Sequence, residues 1–450
     1  MGGRRKCGGG RGGFSYFASF LGAASSPVAS AAAGAPSSTA AEDASETRRT
    51  ARGRAGYCAR AGAARGRHAR ASIVDIIGRV EEWVPLEAMH HISIREVPAG
   101  LAKTSSREDE GEQAKVYPME RKKRVWLDCD PGHDDAMAII LAAYGDAVTW
   151  QARGFHPIHL VGVSTVCGNQ TVEKTTDNAL RMLNLIDRND VPVHRGADKP
   201  LTRPKRNCPE IHGESGLDGP DIPAATRGAQ PTPAVVAMAE ALLSGDPADK
   251  PTLVATGALT NVALLFSVYP EVIHRLDKLV IMGGAYQGLG NTGPTAEFNI
   301  QCDPEAAHIV FEAGLKNLVM VPLEVTHTVL VTPKIRNTCF KGSRFRLLLD
   351  ELMHFFEESY KKVFGFKHPP LHDPVAVFYV MFPAMFKTKR MRVDIDCGQL
   401  CAGTTVCDHH GMSGKEPNVT VCTKVDVDAF WATMAKTVDE ADKVSPINNK

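Results

Sequence analysis

The sequence predicts an α/β fold: a single domain with a mostly parallel central sheet flanked by helices, preceded by a disordered N-terminal extension. From residue 121 onward, short apolar segments of strand length alternate with longer segments whose apolar residues recur at helical spacing. This alternation is typical of parallel sheets that are covered by helices on both faces. Polar residues follow several of the apolar segments directly, and ligands of open α/β sheets bind at the carboxyl ends of the strands. We therefore expect a functional site at that edge of the sheet.

The predicted elements begin with a strand at Val125–Leu127, which ends in an acidic turn, and a helix at Asp134–Tyr144. A second strand at His159–Thr165 and a second helix at Thr171–Ile186 follow in the same order. The remaining predicted elements are a strand at Leu253–Thr256, a helix from Leu259, a strand at Leu279–Met282, a helix at Asp303–Ala313 and a strand at Leu318–Val321.

The overall composition excludes several classes of protein. The 450 residues include 52 Lys and Arg against 51 Asp and Glu, so the net charge of +1 argues against a strongly basic nucleic-acid binder. No uninterrupted run of about 18 apolar residues is present, so no membrane span is predicted. The 11 cysteines are an odd number scattered along the chain, which favours reduced thiols over a disulfide framework.

The first 120 residues differ in composition from the rest of the chain. Residues 1–41 contain no Asp or Glu, and residues 48–70 contain eight Arg among Gly and Ala. Such a segment cannot bury enough apolar surface to offset its ordering entropy, so we predict a low-complexity extension over 1–120 and a folded domain over 121–445. The extension is a candidate targeting segment: a plastid or mitochondrial transit peptide fits the missing acids, whereas the apolar run at Phe14–Ala24 is short and broken for a secretory signal. A wrongly assigned gene start would look the same; for the folded part we expect a cytoplasmic location.

An acidic cluster follows the first predicted strand. Asp128, Asp130, Asp134 and Asp135 place four carboxylates within eight residues. Capping of the following helix explains the last two, at about 0.3–1 kcal/mol each, but not the first two. Two unit charges about 4 Å apart repel by about 4 kcal/mol at an effective dielectric constant of 20. Converging carboxylates therefore need a counter-charge, and their oxygen ligands suit Ca²⁺ or Mg²⁺.

Polar residues also follow the other predicted strands. They are Gly168-Asn169-Gln170, Thr256-Gly257, Asn291, Glu297-Phe298-Asn299 and His372-Asp373-Pro374. Each segment alone is typical of a turn or a helix cap. Their joint placement at the ends of strands predicts one site.

These motifs resemble the inosine–uridine-preferring nucleoside hydrolase family. The resemblance runs from Val125 to Trp431 and rests on six motifs in the right order. They are Asp128-x-Asp130-Pro-Gly-His-Asp134-Asp135-Ala, Gly168-Asn169, Thr256-Gly-Ala-Leu-Thr-Asn261, Met282-Gly-Gly, Ala296-Glu297-Phe298-Asn299 and His372-Asp373-Pro374. The segments Trp126–His133 and His212–Gly219 are most similar to the eukaryotic uridine nucleosidases of that family, and residues 1–120 have no counterpart in it.

The resemblance implies Ca²⁺ at the carboxyl edge of the sheet. Asp130, Asp135 and Asp373 would supply carboxylate ligands, and Thr256 a backbone carbonyl. The ribose would be gripped by Asp134, Asn169, Asn291, Glu297 and Asn299, with Met282 lining the pocket. The resemblance also implies a homodimer or homotetramer.

The resemblance further implies a division of catalytic roles. Asp130 would act as the general base on a water held at the metal, and His372 would lie over the leaving base as a candidate acid. His212 matches a position near the base in pyrimidine-preferring members. Tyr360 and Phe364 belong to an aromatic stripe at helical spacing, which is either packed core or a set of base contacts.

The implied activity is Ca²⁺-dependent hydrolysis of the N-glycosidic bond of ribonucleosides, with uridine preferred. Cleavage develops oxocarbenium charge on the ribose, which preorganised carboxylate and amide oxygens stabilise. A purine-preferring hydrolase and a non-catalytic binding protein on the same fold are the alternatives. A phosphatase of the haloacid dehalogenase type fits poorly, because Pro131-Gly132 and the Asp134-Asp135 pair replace the residues expected after its Asp pair.

Overall fold

The computed structural model describes residues 121–145 and 155–449. The predicted extension over residues 1–120 lies outside the described residues. The strands are β1 (Lys123–Cys129), β2 (Ile158–Thr165), β3 (Val193–Arg195), β4 (Thr252–Ala255), β5 (Lys278–Met282), β6 (Leu318–Val321), β7 (Phe386–Met391), β8 (Val393–Ile395), β9 (Thr405–Cys407) and β10 (Val419–Val425). The helices up to β6 are α1 (His133–Tyr144), α2 (Val172–Leu185), α3 (Pro209–His212), α4 (Ala234–Leu243), α5 (Thr260–Val268), α6 (Glu271–Arg275), α7 (Phe298–Cys302) and α8 (Pro304–Glu312). The later helices are α9 (Leu323–Thr326), α10 (Pro333–Cys339), α11 (Arg344–Phe364), α12 (Asp373–Met381) and α13 (Val427–Val444).

The central sheet is mostly parallel, as predicted. Among the described residues its strand order is β3-β2-β1-β4-β5-β6-β10-β7, and only the β10–β7 pair is antiparallel. The strand order reverses between β1 and β4, where the connections leave in opposite directions along the sheet. Such a reversal opens a crevice at the carboxyl ends of the two strands. The acidic turn after β1 and Thr256 after β4 both lie at this point.

Two apolar layers enclose the sheet. Alternate residues of β1 face opposite sides, so Val125 and Leu127 join the layer that contains α1, whereas Trp126 joins the layer that contains α4 and α5. Helix α1 is buried along almost its whole length and packs against α12. This packing brings the first turns of α1 and α12, with their acidic residues, to the same edge of the sheet.

The predicted elements are present with small shifts of their ends. The predicted helix at Asp303–Ala313 is α8, and Asp303 caps it by accepting a hydrogen bond from the Ala306 amide at 3.1 Å. The small β8–β9 sheet and strands β3, β7 and β10 were not predicted. Within the described residues, no helix has both the length and the apolar character needed to cross a membrane.

Candidate active site

An open cavity lies at the carboxyl edge of the sheet. Most of the residues predicted for the site line it: Asp134, Asn169, His212, Thr256, Met282, Asn291, Glu297, Asn299, Tyr360, Phe364, His372 and Asp373. Asp130 and Asp135 are fully buried and hydrogen-bond to Asn169, a residue of the cavity wall. The structure therefore brings the predicted residues together from the ends of separate strands and helices.

Asp130 is held tightly but leaves one oxygen without a partner. Its Oδ2 accepts a hydrogen bond from the Asn169 amide at 2.7 Å, while its buried Oδ1 has no hydrogen-bond partner among the described residues. Glycines surround the carboxylate: a Cβ atom at Gly168 would overlap Oδ2, and one at Gly257 would lie 2.6 Å from Oδ1. A buried carboxylate oxygen without a partner is costly, so its retention points to a ligand.

Asp135 is oriented by three donors from three segments. Its Oδ2 accepts from the Gly132 amide at 3.0 Å, which closes the first turn of α1, and from Asn169 Nδ2 at 3.1 Å. Its Oδ1 accepts from Thr256 Oγ1 at 3.0 Å. The carboxylate therefore joins the ends of β1, β2 and β4 at one point.

Three carboxylates form a compact group. Oxygens of Asp134, Asp135 and Asp373 all lie within 4.8 Å of one another, and all three residues are buried. Burial, followed by the charge of Asp135, raises the pKa of Asp134 to about 7. Burial and the neighbouring aspartates raise the pKa of Asp373 and of Asp130 well above the usual range. A divalent cation would remove this penalty, and the oxygen-only donor set fits Ca²⁺ or Mg²⁺.

The compact group differs in one member from the ligand set that the resemblance implies. It contains Asp134, which the resemblance assigned to the ribose, whereas Asp130 contributes its unpartnered Oδ1 from nearby. The Thr256 carbonyl, the fourth implied ligand, accepts a hydrogen bond from Asn299 Nδ2 at 2.7 Å and keeps a second lone pair. The chain thus supplies the carboxylate and carbonyl oxygens that a hard cation requires.

Asp128 does not belong to this group, although the sequence placed it among four converging carboxylates. Its Oδ1 accepts from Ser164 Oγ at 2.5 Å and from Asn261 Nδ2 at 2.8 Å, on the side of the sheet where Trp126 donates to the same Ser164 hydroxyl. Its other oxygen, Oδ2, is buried and has no hydrogen-bond partner among the described residues. Asp128 ties β1 to β2 and α5 beneath the site.

A second group of polar residues lies at the other end of the cavity. Glu297 caps α7: its carboxylate accepts from the amides of Asn299, Ile300 and Gly284. Burial raises the pKa of Glu297 to about 7 despite these three donors. Asn291 Oδ1 accepts from the Phe298 amide at 2.9 Å, which fixes the loop over α7.

His372 is already engaged through both ring nitrogens. Its Nδ1 lies 2.7 Å from Thr326 Oγ1, and its Nε2 lies 2.8 Å from the Tyr360 hydroxyl. Each ring nitrogen therefore has a protein hydroxyl as its hydrogen-bond partner. Burial holds the pKa of His372 well below its usual range, which keeps the ring neutral. Neither ring nitrogen of His372 is therefore free for a bound molecule.

His212 is the histidine with a free ring nitrogen. Its Nδ1 accepts from the His133 backbone amide at 3.2 Å, so the neutral ring carries its hydrogen on Nε2. The His133 ring also approaches it, but the hydrogen of that ring is on Nε2, which donates to the Asp218 carbonyl at 2.9 Å. Burial keeps the pKa of His212 well below the usual range. Among the described residues no group bonds to His212 Nε2, and the residue lines the cavity, so Nε2–H can donate to a ligand.

The aromatic stripe of α11 has both of the roles considered from the sequence. Phe356 is fully buried core and packs edge-on against Tyr360 at 4.7 Å between ring centres. Tyr360 and Phe364 line the cavity, and the Phe364 side chain is 36% exposed. The C-terminal turn of α11 is therefore the wall of the cavity.

Sequence reasoning missed several residues of the cavity wall. They are Arg206, Cys208, Glu210, Ile211, Thr292, Phe298, Leu323 and Val363. Apart from Leu323, which opens α9, each is close in sequence to a predicted residue, but none belongs to one of the motifs at the strand ends except Phe298. His133 and Thr326, which orient the two histidines, were also missed, because such roles depend on contacts between distant segments.

Comparisons with known proteins show the family of the chain. Residues 125–432 match the family model described as inosine-uridine preferring nucleoside hydrolase. A probable ribonucleoside hydrolase of Dictyostelium discoideum is 43% identical over 332 residues, which cover 70% of this chain and 94% of that protein. The pyrimidine-specific ribonucleoside hydrolase RihA of Escherichia coli O7:K1 is 42% identical over 318 residues, which cover 69% of this chain and 97% of that protein.

Solved structures show the same fold. A purine-preferring ribonucleoside hydrolase from Gardnerella vaginalis superimposes with a TM-score of 0.64 at 27% identity, over 71% of this chain and all of that one. A plant nucleoside hydrolase gives a TM-score of 0.63 at 28% identity, over 71% of this chain and 99% of that one.

Proposed function

The chain belongs to the inosine-uridine preferring nucleoside hydrolase family, and from this we propose that it hydrolyses the N-glycosidic bond of ribonucleosides with Ca²⁺ as cofactor and uridine as preferred substrate. Its activity class follows from its relatives, which are named ribonucleoside hydrolases, so it is an N-glycosyl hydrolase acting on nucleosides. The observation that supports the cofactor is the buried group of Asp134, Asp135 and Asp373 beside the unpartnered Oδ1 of Asp130.

The proposed roles follow from the contacts of each residue. When bound, Ca²⁺ would orient the ribose diol and make a nearby water more acidic. Asp130 would take the proton of the attacking water through Oδ1, the oxygen that the protein leaves free. The Asn169 side chain is fixed by its contacts with Asp130 and Asp135, and the Glu297 carboxylate by three backbone amides, so their oxygens would stabilise positive charge on the ribose without reorganisation.

Departure of the base needs a hydrogen-bond donor on the base side of the cavity. His212 Nε2–H is the free donor there, whereas both ring nitrogens of His372 are engaged by Thr326 and Tyr360. We therefore propose that His212 donates the hydrogen bond to the leaving base. His372 would orient the cavity wall that contains Tyr360. This assignment reverses the emphasis that the sequence alone favoured.

Two considerations support uridine as the preferred substrate. The RihA relative named pyrimidine-specific is 42% identical, whereas the purine-preferring structural neighbour is 27% identical. Uracil also leaves more readily as an anion than a purine, so a neutral histidine donor is sufficient for it. A purine preference remains the alternative outcome of the test.

The test measures ribose release from uridine, inosine, adenosine and xanthosine by the full chain, with and without a chelator. We expect release to be fastest from uridine, to stop with chelator and to return with Ca²⁺. Fastest release from a purine nucleoside would overturn the uridine preference alone. Absence of release from every nucleoside by folded, Ca²⁺-loaded protein would overturn the proposed activity in favour of a binding protein.

The variant Asp130→Asn tests the proposed role of Asp130 as the general base. It keeps an acceptor for the Asn169 amide but removes the basic oxygen, so we expect at least about a 10²-fold loss of turnover. Asp428→Asn is the control, because Asp428 is exposed in the first turn of α13. Parental turnover in Asp130→Asn would contradict the assigned base.

Three further properties of the protein are part of the proposal. We propose that residues 121–445 form the catalytic domain, that the enzyme is a homodimer or homotetramer, and that it is cytoplasmic, with a plastid or mitochondrion as the alternative. Light scattering of the full chain would give the subunit number. A fluorescent protein fused after residue 120 would test the location: a diffuse signal would reject organelle targeting.

A further inference from the structure

Cys208 hydrogen-bonds to two segments of the cavity wall, the one that carries Asn169 and the one that carries His212. It comes directly before α3, is 7% exposed and lines the cavity. Its carbonyl accepts from the amides of Ile211 and His212 at 3.0 and 3.2 Å, which closes the turn that carries the His212 ring. Its amide donates to the Asn169 carbonyl at 3.2 Å. The residue therefore joins the segment of the proposed base donor to the segment of a proposed ribose ligand.

The Cys208 thiol also contacts the side chain of Asn169. Its Sγ lies 3.5 Å from Asn169 Oδ1 and 3.8 Å from the Asn169 carbonyl. Burial raises the pKa of Cys208 well above its usual value, so the sulfur keeps its hydrogen at neutral pH. A neutral thiol can donate a hydrogen bond to the amide oxygen.

The orientation of the Asn169 amide is determined by its other contacts. Its Nδ2 donates to the Asp130 carbonyl and to Asp135 Oδ2, both at 3.1 Å. Since both partners are acceptors, Oδ1 must be the atom that faces Cys208. Among the described residues the thiol is the group that donates to this oxygen, and rotation of the amide would break the contacts on both sides.

We propose that Cys208 is a positioning residue that acts through Asn169: its thiol holds the amide with Nδ2 toward the carboxylates and Oδ1 toward the cavity. This inference rests on the proposed nucleoside hydrolysis and goes beyond it by adding a residue that does not touch the reacting atoms. Of the nine described cysteines, all free, Cys208 is the one that lines the cavity.

The test is a double-mutant cycle on ribose release from uridine, with Cys208→Ala and Cys208→Ser in the parental chain and in the Asn169→Ala background. Loss of one ordinary hydrogen bond predicts about a three- to tenfold lower kcat/KM for Cys208→Ala, with partial recovery in Cys208→Ser because a hydroxyl also donates. In the Asn169→Ala background we expect Cys208→Ala to add less than about twofold. If Cys208→Ala does not fold, Cys208→Val, which fills the space without a donor, takes its place.

Cys422→Ala is the matched control, since Cys422 is a fully buried thiol in β10 that does not line the cavity. It should lower the thermal midpoint without changing kcat/KM. Equal losses from Cys208→Ala in both backgrounds, or equal activities of Ala and Ser variants of the same stability, would overturn the positioning role and leave the proposed function intact. A parental chain that releases no ribose would overturn both.

Discussion

At the scale of single residues, the site depends on the space around Asp130. The carboxylate fits because Gly168 and Gly257 have no side chains, so the loops after β2 and β4 approach it closely. This close approach leaves Oδ1 buried and without a protein partner. Neither Gly168 nor Gly257 has a positive φ angle, so the backbone conformation does not require glycine at these positions. The space taken by the Asp130 carboxylate explains both glycines.

Gly257→Ala tests this requirement. The added Cβ would lie 2.6 Å from Asp130 Oδ1 and 2.9 Å from Val166 Cγ1, so the carboxylate must move. We expect at least about a 10²-fold loss of kcat, because a misplacement of about 1 Å has that effect, and a loss of about 1–3 kcal/mol in the free energy of unfolding. Gly228→Ala is the control, since a Cβ there meets nothing within 4 Å. Parental kcat in Gly257→Ala would refute the argument.

His212→Ala tests the donor to the leaving base. We expect about a 10²–10⁴-fold loss of kcat/KM on uridine, the usual contribution of a positioned acid. Tyr360→Phe removes only the hydroxyl that bonds His372 Nε2, so we expect less than about a tenfold loss. The comparison is repeated with p-nitrophenyl riboside, whose leaving group needs no proton. If His212→Ala loses as much activity on this substrate as on uridine, His212 is not the donor.

At the scale of helices and strands, the elements around the site could be predicted because their signals are local. Apart from β3, the strands up to β6 are apolar runs, and the residues after most of them carry the motifs, so the edge of the sheet and its acidic turn were predictable. The engagement of His372 by Thr326 and Tyr360 was not, since it joins segments 46 and 12 residues away. Asp128 was placed in the cluster because the sequence does not show its hydrogen bonds to the distant residues Ser164 and Asn261.

Helix α11 carries the aromatic wall of the cavity and is anchored to α10 by Arg336. The Arg336 guanidinium bonds Asp350 and Glu357, each at 2.8 Å, and all three side chains are at most 20% exposed. We expect Arg336→Gln to lower the free energy of unfolding by about 1–3 kcal/mol, between the values for exposed and buried pairs. Lys443→Gln, which breaks an exposed pair with Glu440, should change it by less than about 0.5 kcal/mol. Denaturant titration of both variants measures this, and equal stabilities would contradict the anchoring role.

At the scale of the whole molecule, folding and the proposed cofactor are coupled through charge. The chain has nearly equal numbers of acids and bases, yet it buries Asp130, Asp134, Asp135 and Asp373 close together at the point where the strand order reverses. The ion pairs of the described residues form elsewhere, so no Lys or Arg among them neutralises this group. The fold thus places carboxylates together that must either be protonated or be balanced by a bound cation.

Cation binding should therefore stabilise the whole domain. A ligand that binds only the folded state at 100 times its dissociation constant adds about 2.7 kcal/mol to the free energy of unfolding. We expect the thermal midpoint of the full chain to rise when Ca²⁺ replaces chelator, and to rise much less in Asp373→Asn, because one of the converging carboxylates has become neutral. Asp428→Asn should respond to Ca²⁺ as the parental chain does, since its carboxylate is exposed on α13. Identical midpoints of the parental chain in Ca²⁺ and in chelator would show that the buried carboxylates are held protonated instead, and would remove the structural argument for a metal.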